Sequence, residues 1–144
     1  MVPSPNSRID SAPQAFAAVA LAAVACDGEL AIVEARSLRQ QLEFRQPFCT
    51  YSDATMAALL DQLLGTLRLE GWEALVAQAA PHLNPDQSET ALAVAASLIQ
   101  ADHVESRPES SFLAGLSEAL GIAPERATTI RDVVSLLNRD SLAS

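Results

Sequence analysis

Four acids stand in two matched pairs, Asp27 with Glu34 and Asp102 with Glu109, and in each pair the Glu follows the Asp by seven positions. Carboxylate oxygens are hard ligands suited to divalent cations. Two of them brought together repel unless a cation, an arginine or backbone N–H groups compensate. Arg36 and Arg107 are the positive charges nearest in sequence and the main rivals to a cation. Ser106 stands three residues before Glu109, the spacing of a capping box, in which the acid satisfies backbone donors at a helix start. Ala31 holds the corresponding place before Glu34, so the first pair lacks that alternative use. Two readings stand side by side: turn and helix capping, or a divalent-cation site with Asp27, Glu34, Asp102 and Glu109 as oxygen ligands. Glu29 and Glu105 add charge near each turn but fall one position apart between the copies. The segment DGELAIVE is not an EF-hand loop, which needs acids at alternating positions, a central Gly and a Glu at the twelfth place.

The pairs belong to a longer repeat. An offset of 75 residues matches Val19 with Val94, Ala20 with Ala95, Asp27 with Asp102, Glu34 with Glu109 and Leu38 with Leu113. Each copy, about 15–43 and 90–118, reads as an Ala-rich chargeless helix that ends near the Asp, then a turn, then a helix carrying the Glu in its first turn. The Glu thus faces the positive end of a helix. Equivalent hairpins are expected, with the two Ala-rich helices packed together at the centre.

Those hairpins sit in an all-α chain of about seven helices. The first ten residues, polar and Pro-rich, form an expected loose N-terminal arm, and residues 11–144 form one helical domain. Ser11 or Asp10 caps a first helix with Pro13 in its first turn, running to Cys26. A second helix spans about Ile32 to Phe44, before Pro47 and a short loop. Ser52 or Asp53 starts a third, Ala54 to Glu70, where Met56, Leu59, Leu60, Leu63, Leu64 and Leu67 recur at spacings of three and four. Gly71 ends it, and a short fourth helix runs from Trp72 to Ala80. Asn84, Pro85 and Gln87 open a fifth, Ser106 a sixth that closes at Gly121, and Pro124 a seventh with an apolar stripe of Ile130, Val133, Val134 and Leu137.

Composition excludes several functions. Of the 144 residues, 49% are hydrophobic but only 4% aromatic, and Ala and Leu, strong helix formers, dominate. Nine Arg against 18 acids give a net charge of −9, which repels phosphate backbones and argues against nucleic acid. Cations or basic protein surfaces suit it better. Cys26 and Cys49 have neither zinc-site spacing nor the density of a disulfide scaffold, so the cytoplasm is the expected compartment. The chargeless run Ala15–Cys26 falls short of the roughly 20 residues a membrane span needs, and direct membrane insertion is not expected. A lipoprotein signal ending at Cys26 is disfavoured by Asp10 and the early prolines. No nucleophile elbow, HExxH helix or Gly-rich phosphate loop is present, so the chain reads as a binding module and not an enzyme. Cys26 is expected as a buried packing residue at a helix end that disfavours thiolate, and Trp72 and Tyr51 at the edge of the core.

The segments ACDGELAIVEARSL and QADHVESRPESSFLAGLSEALGI resemble the paired motifs of the TerB-like family of tellurite-resistance proteins. The likeness lies in a small-residue helix, an Asp-Gly turn, a Glu seven after the Asp, and a closing Leu-Gly-Ile. His103 stands where the second motif prefers Gly, and Cys26 replaces the usual Ala. The resemblance implies about seven helices in two hairpins related by an approximate internal two-fold, and metal binding by acids that here are Asp27, Glu34, Asp102 and Glu109. It also implies a role in tellurite resistance or stress response. A metal-free reading remains beside it: a helical adaptor presenting a groove or acidic face to a protein partner.

Overall fold

Ser11 begins the first helix, α1 (Ala12–Ala25), by accepting a hydrogen bond from the Gln14 N–H at 3.4 Å, while the Asp10 N–H donates to Gln14 Oε1 at 2.9 Å. The Ser11 hydroxyl thus satisfies one backbone donor that a helix start leaves unpaired, and the Gln14 side chain ties down the residue before the cap. The computed structural model describes residues 9–26, 32–100, 107–139 and 141–142, with the backbone alone for residues 32–37. Among these the order is α1, α2 (Ile32–Glu43), a 3-10 turn at Phe48–Thr50, α3 (Asp53–Ala79), a second turn at Ala80–His82, α4 (Pro85–Ile99), α5 (Arg107–Ala119) and α6 (Pro124–Leu137), with no strand.

Every residue from Ala17 to Val24 is buried, so α1 is enclosed on all sides, as a helix without a polar face must be. It packs most extensively on α3, then on α4. From α3 come Met56, Leu59 and Leu63, with Leu60, Leu64 and Leu67 partly buried against the same cluster. Leu92 and Ile99 of α4, Phe112, Leu113 and Leu116 of α5, and Ala127 and Val134 of α6 complete one contiguous core.

Among the described residues six helices are counted, close to the expected seven, because the two helical runs that the sequence divides at Gly71 meet across a kink inside α3. Only Gly71 leaves helical angles inside α3, at φ 88° and ψ 167°. That region is closed to residues with a Cβ, so the break forms where the sequence places its glycine. Its sequence signal marks a kink within α3.

The boundary signals at Asn84 and Gly121 act as read, while Ser106 lies outside the described residues. Asn84 and Gln87 make the reciprocal capping box, with N–H to oxygen distances of 2.9 and 2.8 Å. Gly121, at φ 72°, closes α5 while its own N–H reaches the Glu118 carbonyl and the Ile122 N–H the Ser117 carbonyl, both at 3.0 Å. This is the Schellman arrangement. Arg126 ties α6 to α4 through Glu89 at 2.8 and 3.2 Å, and this hydrogen bond and charge raise the Arg126 pKa above its ordinary value.

Shifting α1 by 75 gives 87–100 against the observed 85–99, and shifting α2 gives 107–118 against 107–119. The matched pairs Val19 and Val94, Ala20 and Ala95, and Leu38 and Leu113 are all buried. The expected stripe on the last helix is corrected: Ala127, Ile130 and Val134 face inward, whereas Val133 and Leu137 are 50% and 78% exposed. The face that α6 turns to the core is too narrow to cover them.

Candidate functional site

Of the four acids, Asp27 and Asp102 lie outside the described residues, as does His103. Glu34 is placed by its backbone alone, as the third residue of α2, and Glu109 is the third residue of α5 and half-buried. The two glutamates therefore occupy the same helical position in the two copies, the first-turn place the repeat predicts. Arg107 is exposed and pairs with no described carboxylate; the Arg36 side chain lies outside the description. Among the described residues no three His, Cys, Asp or Glu side chains converge in a metal-ligating cluster.

Cys26 caps α1 and is only partly buried, its thiol donating to the Ala23 carbonyl at 3.3 Å, while Cys49 is exposed. Cys26 packs against the core as expected, but only in part, because the helix ends there and covers only one side. Trp72 and Tyr51 do pack at the core's edge, in edge-on contact with Phe112 at 4.8 Å and Phe48 at 5.6 Å.

The described residues also enclose a groove that the sequence reading did not single out. It measures about 510 Å³ and is bounded by the first turns of α1 (Ala12, Pro13, Phe16), the link 44–48, Leu83, and the first turns of α4 (Asp86, Gln87, Thr90). The link is held by its own backbone: the Arg45 N–H donates to the Leu42 carbonyl at 2.9 Å, and the Cys49 N–H to the Arg45 carbonyl at 2.8 Å. Phe48 is buried against Phe16, with ring centroids 6.2 Å apart, and anchors the link to α1. Phe44, one residue past the end of α2, is 68% exposed on the rim.

Arg45 lies between these rings. Its guanidinium carbon sits 5.9 Å from the Phe16 centroid and 5.0 Å from that of Phe44, within cation–π range, and its Nε donates to the Gln41 carbonyl at 3.1 Å. Arg39 and Arg126 are ion-paired, but no described carboxylate lies within 4.0 Å of Arg45. Asp86 is the acid of the groove, and it does not reach that cation. The segment FRQPF carries the signal in sequence: two of only four Phe flank an Arg and a Pro outside any helix. The third wall, from α4, is visible only after folding.

Compared with protein-family models, curated proteins and solved structures, the chain matches none. The TerB-like resemblance rests on its motifs. No described helix is long and apolar enough to cross a membrane.

Proposed function

We propose that this chain is a non-catalytic helical adaptor that holds a segment of a partner protein in the groove between α1, the 44–48 link and α4. The observation that carries this reading is the exposed Phe44 set beside Arg45 at the mouth of a largely apolar groove. Aromatic and arginine side chains are the types most concentrated at the energetic centres of protein interfaces. The groove's size falls in the range of specific ligand sites, and its open rim lets a longer chain pass through it. The cysteine usage adds the cytoplasm, and the TerB-like motifs a tellurite-resistance or stress-response setting, to this proposal. The test is selection of a random peptide library on the protein, with counter-selection on the Phe44→Ala variant. Phe44 is exposed, so that variant keeps its fold. Peptides that bind the parent about tenfold more tightly, equivalent to about 1.4 kcal/mol, are the expected result. A library yielding only peptides indifferent to Phe44 would overturn the reading.

A second reading keeps the four acids as a divalent-cation site. It is supported by the agreement of helix bounds at the 75-residue offset and by the shared helical position of Glu34 and Glu109. Calorimetric titration with Ca2+, Mn2+ and Zn2+ is expected to give binding on the order of micromolar to millimolar, the range of modest oxygen sites. Asp27→Asn combined with Asp102→Asn should abolish it without loss of helicity. Absence of any heat at millimolar concentrations of all three ions removes this reading.

A further inference from the structure

We infer that the segment taken by the groove carries a side-chain carboxylate next to an aromatic or aliphatic residue, and that Arg45 receives the carboxylate while Phe16 and Phe44 receive its neighbour. This rests on the adaptor reading and adds the chemistry of the partner. Arg45 is half-buried between two rings, and its Nε is committed to the Gln41 carbonyl. Its remaining N–H groups have no described carboxylate partner, although acids outnumber arginines two to one in the chain.

A cation so placed costs desolvation that an incoming anion relieves, and a guanidinium fork matches a carboxylate through two parallel hydrogen bonds. Because stacking and the Gln41 contact already restrict the side chain, little freedom is lost when the carboxylate arrives. Asp86, in the first turn of α4, also restricts the ligand. It repels a second acid there and favours a neutral or basic residue, as does the net charge of −9. The fitting ligand is one acid beside one apolar group in an otherwise neutral or basic segment. A polyacidic run does not fit.

The peptides selected on the groove supply the test. Each Phe44-dependent peptide is remade with its acid changed to the amide, Glu to Gln or Asp to Asn, and both forms are titrated against the parent protein, Arg45→Gln and Arg45→Lys. The expected result is an acid beside an apolar residue in the selected peptides, and about a tenfold weaker affinity for the amide form on the parent protein. That difference should be absent on Arg45→Gln and partly kept on Arg45→Lys, which retains charge but not the fork. The comparison of two peptides on the parent protein does not depend on how either variant folds. Phe44-dependent peptides that lack an acid, or whose acid and amide forms bind alike, overturn the assignment to Arg45 while leaving the adaptor reading standing. Failure to select any Phe44-dependent peptide overturns both.

Discussion

Phe112→Ala is expected to lower stability by about 3–5 kcal/mol, the range for deleting a fully buried aromatic ring. Phe112 is 0% exposed and meets the Trp72 indole edge-on, with ring centroids 4.8 Å apart and planes at 70°. Such pairs contribute about 0.5–1.5 kcal/mol beyond burial of area. The neighbourhood cannot easily collapse into the space left behind. Trp72 extends over Gly115, whose absent Cβ would lie 3.4 Å from the indole, so the ring lies along the face of α5 that carries both Phe112 and Gly115. Domains of ordinary size are stable by about 5–15 kcal/mol, so this single change removes a large share of the margin. With a urea dependence of about 2 kcal/mol per molar, the unfolding midpoint should fall by roughly 2 M. Trp72 is the only tryptophan, so its fluorescence reports the transition and should shift to the red in the folded variant as the indole loses its neighbour. A midpoint within 0.5 M of the parent, measured by circular dichroism to keep the readout independent of Trp72, would show that α5 is not anchored through this contact.

Local signals are the part of this fold that could be read from residue types. Ser11, Ser52, Asn84 with Pro85 and Gln87, and Gly121 each act within four residues of where they stand, because a cap satisfies donors or acceptors of its own turn. The chargeless run in α1 is equally legible, since a helix with no polar face has no option but enclosure. Gly71 shows the limit of such signals. A glycine announces a positive φ, and at ψ 167° the chain leaves the helix there, but the burial of Leu75 and Val76 in the run beyond it is a matter of tertiary packing. The last helix shows the same limit: Ile130, Val133, Val134 and Leu137 share a helical period, yet the inward face is the one carrying Ala127, Ile130 and Val134.

The two candidate sites divide along the same line. Glu34 and Glu109 fall at the third position of their helices as the spacing requires, a local matter. The groove is assembled from residues 12–16, 44–48 and 83–90, three segments whose meeting follows from the packing of α1 on α4. Ala15–Cys26 reads as a buried helix, Pro47 as a loop marker and Asn84 with Gln87 as a helix cap. Each reading is correct in its own turn of chain. Their conjunction around Arg45 is a property of the tertiary structure.

Ala20→Leu and Ala95→Leu are each expected to cost about 1–3 kcal/mol, because both positions are closed and the added methylenes have nowhere to go. Ala20 is 1% and Ala95 0% exposed, and they lie on α1 and α4, which pack directly on one another. At 144 residues each kcal/mol lowers the thermal midpoint by about 2–4 °C, so losses of roughly 2–12 °C follow. The sign is informative, since leucine exceeds alanine in hydrophobicity and nearly equals it in helix propensity. Any destabilisation therefore measures lack of space. Ala58→Leu, on the exposed side of α3, supplies the control and should change stability by no more than about 0.5 kcal/mol. The double variant separates two versions of the packing. If Ala20 and Ala95 occupy independent parts of the interface, their losses add to within about 0.5 kcal/mol; if the two leucines compete for one space, the double variant departs from additivity by more than that. Should both single variants melt at the parent temperature, the small residues of α1 and α4 are not there for close approach, and the enclosure of α1 would need another cause.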